Sequence, residues 1–199
     1  VNAFVSLLKR ADMTRYELFL RETRTYEIIE DVKNFRSEIG VLFLNGYNRD
    51  VLTKMFDDNR LTYTSLFKAR PHIFVSKSNP LAKHKVVSLE DLEDFPYLSY
   101  DQGIHNSFYY SEEILSQIPH KKSIVVSDRA TLFNLLIGLD GYTIATGILN
   151  SNLNGDNIVS IPLDVDDEID IVYLKHEKAT LSKMGEKFLD NLVKEVTFD

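Results

Sequence analysis

The chain has 199 residues, of which 44% are hydrophobic and 27% charged, a balance that supports one or two soluble domains with a sizeable core. It contains no cysteine, which excludes disulfides and thiolate metal sites and suits a reducing cytoplasm. A net charge of −7 argues against direct DNA contact, because nucleic-acid-binding domains carry a basic face to neutralise phosphates.

No apolar run approaches the roughly 18 residues of a membrane span, and no signal peptide opens the chain. Since Val1 is not a start residue, preceding residues are expected. Phe4, Leu7 and Leu8 share one face at helical spacing. Tyr16-Glu17-Leu18-Phe19-Leu20 alternates and predicts a strand. Ile28, Ile29, Val32 and Phe35 mark a helix starting near Thr25. The apolar run from Ile39 to Leu44 predicts a central strand buried on both faces. Val51, Leu52, Met55 and Phe56 give a third helix.

His72-Ile73-Phe74-Val75 suits a strand, and Asn79-Pro80 breaks it, because proline lacks an N–H and restricts its predecessor. Ser88 is placed to cap a short helix, with Asp91 three residues on as an imperfect capping box. Pro96 stops that helix, and Tyr97 to Tyr100 is the next strand. Phe108 to Ile118 fits a helix and Ser123 to Val126 a strand. Ser127 then caps a helix carrying Leu132, Leu135 and Leu136, which ends at Gly138-Leu139-Asp140-Gly141. Tyr142 to Thr146, Ile158 to Pro162 and Ile169 to Leu174 are strands, and Phe188, Leu189, Leu192, Val193 and Val196 place a last helix. Asn150 to Asn157 is the loose polar stretch. Such alternation implies mostly parallel sheets with helices on both faces.

By its grammar the segment from 70 to 100 is one αβ unit. Its wording, Ser78-Asn79-Pro80-Leu81-Ala82 followed by Ser88-Leu89-Glu90-Asp91-Leu92 and Phe95-Pro96-Tyr97-Leu98, resembles the linking segment of LysR-type transcriptional regulators. In that family a strand runs into an "HPLA"-like turn and an "LEDL" helix; here Asn79 replaces the usual histidine. A second patch, Val126-Ser127-Asp128-Arg129 through Gly138 to Gly141-Tyr142-Thr143-Ile144-Ala145, is similar to the family's capped helix and following strand, with Asp140 in place of a small residue. The resemblance covers nearly the whole chain.

It implies an α/β, type 2 periplasmic-binding-protein-like fold: two Rossmann-like α/β subdomains joined by two crossover strands. Residues 1–75 with 165–199 would form effector-binding subdomain I and residues 76–164 subdomain II. The family's winged helix-turn-helix DNA-binding domain, its linker helix and the first strand of its sensor domain would precede Val1.

In open α/β sheets, ligands lie beyond the carboxyl ends of strands, where helix N-termini point N–H groups at them. Two such ends are legible: Thr23-Arg24-Thr25, and Ser127-Asp128-Arg129. Both offer hydroxyls and an arginine, suited to a carboxylate, sulfate or phosphate. Taken alone, they are also explained by Thr25 and Ser127 as plain N-caps beside solvated arginines. The resemblance favours the site, because matching positions commonly contact effectors. Tyr100, Asp101 and Gln102 follow a strand as a third wall, and Asn45 is a further candidate.

No catalytic set stands out. His72, His84, His105, His120 and His176 lack metal-ligand spacing, and His176 is expected at the surface. Asp164 to Glu168 reads as a solvated turn, and Tyr109-Tyr110 as half-buried packing. The resemblance thus implies a non-enzymatic, cytoplasmic sensor without cofactor or metal. Its partners would be a small anionic or amino-acid-related effector, DNA through the missing N-terminal domain, and a second copy in a homodimer, with a homotetramer open to the full-length protein. The rival is an extracytoplasmic solute-binding protein of the same fold.

Overall fold

In the computed structural model, which describes residues 1–10, 15–149 and 155–196, the strands sort into two sheets. The first has three strands. Strand β1 (Gly40–Leu44) and strand β2 (Leu61–Ala69) flank β8 (Ile169–His176), both pairing with it antiparallel. Helix α2 (Thr25–Lys33) offers Ile29 and Val32 on one stripe, and α3 (Arg49–Asp58) offers Leu52 and Phe56 one turn apart. These side chains close over Leu42, Leu44, Val172 and Leu174 in one core cluster. Phe56 is fully buried, which stabilises by roughly 1.5–3 kcal/mol. Helix α1 (Asn2–Arg10) buries Ala3 and Leu7 and packs on the last helix, α5 (Lys183–Val196), with Phe4 edge-on to Phe188 at 6.3 Å.

The second sheet contains β3 (His72–Ser76), β4 (Tyr97–Tyr100), β5 (Ser123–Val126), β6 (Tyr142–Ala145) and β7 (Ile158–Pro162), in the order β5-β4-β6-β3-β7. Strand β4 runs parallel to β5 and β6, whereas β3 is antiparallel to β6 and β7. Successive side chains of β3 face opposite ways. Ile73 and Val75 enter one core cluster, while Phe74 enters another beneath α4 (Arg129–Gly138), with Leu132 and Leu136. Strand β8 belongs to both halves: Ile169 lies in the second sheet's core, and Val172 and Leu174 lie in the first's.

The linking motif closes on itself through polar contacts. Asn79, 1% exposed, accepts the Leu81 N–H at 2.8 Å and donates to the Asp140 carbonyl at 2.7 Å. It thereby ties the turn Pro80–Lys83 to the turn after α4, where Asp140 sits at a left-handed φ of 51°. Ser88 and Asp91 form the anticipated reciprocal cap, around a single 3₁₀ turn, Glu90–Leu92.

Several expectations are corrected. The strand pairings are mostly antiparallel, because the crossings between sheets reverse the chain's direction. Strand β1 is not central: it lies at the edge of its sheet among the described residues and alternates in burial. Tyr16 to Leu20 is no strand; no described strand pairs with it, and Phe19 is 81% exposed. Strand β2 was not anticipated. Strand β3 belongs to the second sheet, so the first passage between sheets lies at Arg70-Pro71 rather than near 75. Phe108 to Ile118 forms one 3₁₀ turn, Phe108–Tyr110, followed by turns in which Leu115 adopts φ 60°. His176 is buried, its ring 4.3 Å from that of Phe35. Of the polar stretch 150–157, residues 150–154 lie outside the described residues.

Candidate functional site between the two sheets

The segment ahead of α2 meets the segment after β4. Arg24 is the N-cap residue of α2, held extended with φ −64° and ψ 149°. That conformation directs its guanidinium across to the second half, where Nε donates to the Asp101 carbonyl at 2.9 Å and Nη2 to the Asp101 carboxylate at 2.8 Å. Its third bond, from Nη1, goes to Glu27 at 3.2 Å. Asp101 is shaped for this role by a turn: its Oδ1 accepts the Gly103 N–H at 2.8 Å. Gly103 sits at φ 62°, which favours glycine, and a Cβ there would stand 3.0 Å from the Arg24 guanidinium and push it aside.

Further contacts cross the same gap. The Tyr26 and His105 rings stack at 3.4 Å, and Tyr47 stacks on Tyr109 at 4.8 Å. The Tyr110 hydroxyl donates to the Met55 sulfur at 3.7 Å. Arg129 Nε reaches the Glu22 carboxylate at 3.3 Å. Beside the Arg24 bridge lies a pocket of about 420 Å³, within the range for small-ligand sites. Its walls come from both halves: Arg21, Arg24, Glu27 and Arg36 on one side, Gln102, Ile104 and His105 on the other.

The predicted residues divide between this pocket and its surroundings. Arg24 and Gln102 line it, and Asp101 anchors Arg24. Thr23 donates its hydroxyl to Glu27, the largest cause holding that carboxyl below its ordinary range. Thr25 is buried as the first residue of α2, and its side chain hydrogen-bonds to no described residue. Asn45 is buried in an Asx turn: its Oδ1 accepts the N–H groups of Tyr47 and Asn48, setting the entry to α3. Tyr100 ends β4, with burial pushing its phenol to about 12. Ser127 is not the cap of α4. Asp128 is, accepting the Thr131 N–H at 2.8 Å, and Ser127 lies one residue outside, exposed. Arg129 pairs with Glu22 away from the pocket lining.

Sequence reasoning missed two parts of the site. One is Asp31, whose carboxylate is bridged by Arg21 at 2.5 Å and Arg36 at 3.0 Å. The other is Glu112-Glu113 behind the Tyr100–Gln102 wall. Glu113, 3% exposed, accepts the Tyr100 N–H at 2.7 Å and the Ser111 hydroxyl at 3.0 Å; burial pushes its carboxyl to about 7. Glu112, which accepts from Gln102 at 3.3 Å, is raised by the same desolvation. Two consecutive acids ahead of the apolar Ile114 and Leu115 were the available signal. Among the described residues, no group of acidic, histidine or cysteine side chains is arranged to hold a metal ion, and no helix is long and apolar enough to cross a membrane.

The LysR substrate binding domain matches residues 10–197. The chain belongs to that family. The LysR-family fold is equally visible in solved structures. The effector binding domain of QuiR in complex with shikimate superposes with a TM-score of 0.63 at 17% identity, covering 97% of this chain and 88% of that one. The BenM effector binding domain with its effector benzoate gives 0.62 at 18%, covering 99% and 85%. HinK, a LysR family transcriptional regulator from Pseudomonas aeruginosa, gives 0.60 at 16%, and the match spans 60% of that chain. No curated protein sequence matches.

Proposed function

We propose that this LysR-family domain senses a small anionic or amino-acid-related metabolite in the pocket between its two halves, and that occupancy controls DNA binding by an N-terminal winged-helix domain. The observation that carries the reading is the pocket shared by α2 and the 101–105 segment, with Arg24 spanning the gap beside it. The lobes would follow the sheets: residues to about 71 with about 165–199, and the stretch between. A ligand touching both walls favours the arrangement in which they are close, and shifts that population by its differential affinity. Shikimate and benzoate, the ligands of two structural neighbours, are both small carboxylates. The guanidiniums of Arg21, Arg24 and Arg36 suit the same chemistry.

The protein acts without catalysis, in the cytoplasm, as a homodimer. A stable dimer interface buries at least about 1,000 Å² in total; light scattering showing a monomer at micromolar concentration would remove that part. Thermal unfolding against a panel of small carboxylates and amino acids tests the sensing role. A ligand at about 100 times its Kd adds about 2.7 kcal/mol, a rise in Tm of about 5–10 °C for a chain of this size. Arg24→Ala should abolish the rise, whereas an equal rise in that variant would place the ligand elsewhere.

A further inference from the structure

We infer that residues 104–110 form a clasp between the two halves: the segment is rooted in the second half, grips the first through its side chains, and holds the halves together before any ligand arrives. This goes beyond the sensing role proposed above and does not depend on what the pocket binds.

Both ends of the segment are tied to the second sheet. Ahead of it, the Asp101 N–H donates to the Val126 carbonyl at 2.8 Å. Behind it, the Ser111 hydroxyl donates to Glu113, which also accepts the Tyr100 N–H, and Ile114 is sealed in the second sheet's core. Between these roots the chain makes its own turn. The Tyr110 N–H donates to the Ser107 carbonyl at 2.9 Å, and Ser107 Oγ accepts the Tyr109 N–H at 3.5 Å. A continuous helix over 108–118 is interrupted by Leu115 at φ 60°, a conformation a leucine keeps only where its surroundings hold it.

The side chains of this turn belong to the other half. Tyr110 packs against the core cluster of the first sheet, as Met55 does, and stands edge-on to Tyr26 at 5.9 Å and 90°. Tyr109 lies on Tyr47 with the rings within 14° of parallel, and His105 lies on Tyr26 within 16°. Phe108, in the same turn, is instead 59% exposed. A ring pair of this kind favours its contact by roughly 2- to 13-fold beyond the area it buries. The Tyr26–His105 and Tyr47–Tyr109 stacks share no residue, so they multiply to about fivefold at the least. The burial of Tyr110 and the Arg24–Asp101 bridge act in the same direction. All these contacts are made by the protein alone, so the closed arrangement needs no ligand to form. A ligand then meets a pocket whose closure is already in place, which raises its affinity.

The chain has no cysteine, so spin labels can be placed without background. Lys54→Cys on α3 and Asn134→Cys on α4, both exposed positions, put one label in each half. Double electron–electron resonance on the dialysed, ligand-free chain should give one narrow distance peak. Tyr47→Ala and Tyr109→Ala remove the same stack from opposite sides. Each should raise the ratio of open to closed molecules roughly 2- to 13-fold, and combining them should add little. Tyr109→Ala with Tyr110→Ala should open the halves furthest, whereas Phe108→Ala should leave the peak unchanged. Far-UV circular dichroism checks that each variant is folded; Tyr47, 38% exposed and in the other half, carries the test if the Tyr110 variant is not.

A broad or two-peaked distribution in the ligand-free wild type overturns the clasp. So does a wild-type distribution in both Tyr47→Ala and Tyr109→Ala, or a Phe108→Ala effect as large as theirs.

Discussion

Replacing Glu113 with glutamine should flatten the domain's pH dependence of stability. Burial raises this carboxyl from 4.5 to about 7. Between those values the folded domain holds a proton that the unfolded chain has released. The stabilisation is therefore complete below the unfolded pKa and is lost as pH rises through about 7. At 1.36 kcal/mol per pH unit the displacement amounts to about 3 kcal/mol in all, and about 2–3 kcal/mol falls between pH 5 and pH 8. Glutamine keeps an acceptor for the Tyr100 N–H, now at 2.7 Å from the carboxylate, but cannot ionise. Urea unfolding followed by far-UV circular dichroism at both pH values measures the change. Wild type should lose about 2–3 kcal/mol more than Glu113→Gln on going from pH 5 to pH 8. Equal losses in the two proteins would refute the assignment of a buried, proton-holding carboxyl behind the Tyr100–Gln102 segment.

The Arg24–Asp101 bridge is a testable coupling between halves. With side chains 37% and 44% exposed it is partly screened, so a double-mutant cycle should return about 0.5–1 kcal/mol, and strict additivity would show that the pair does not couple the halves. Asn79→Ala strands the Leu81 N–H and the Asp140 carbonyl, which should cost about 2–4 kcal/mol in urea unfolding. A loss under about 1 kcal/mol would show that the two turns hold without it.

The amphipathic elements were legible because their burial follows their own period. Ile29 and Val32, or Leu52 and Phe56, point one way in sequence and in space. The misses share a cause in long-range pairing. Strand β2 is mostly exposed or half-exposed along its length and owes its form to hydrogen bonds with β8, so it carries no apolar alternation. The stretch from Phe108 has helical spacing, but Glu113 is drawn inward to the Tyr100 N–H and Leu115 turns left-handed. A hydroxyl-and-arginine motif before a helix pointed to Arg24, which lines the pocket. The pocket's other wall comes from residues about 80 positions away, and the two arginines on Asp31 are assembled from both ends of α2, so local spacing could not show them together.

The central claim is that one ligand touches both halves of the molecule. A crystal structure of the domain with a ligand that raises its Tm tests this most directly. The ligand should lie between α2 and the 101–105 segment, touching the arginines of one wall and residues 102–105 of the other. A ligand seated within a single half, or in a place where Arg24 and Gln102 are both out of reach, would contradict the account.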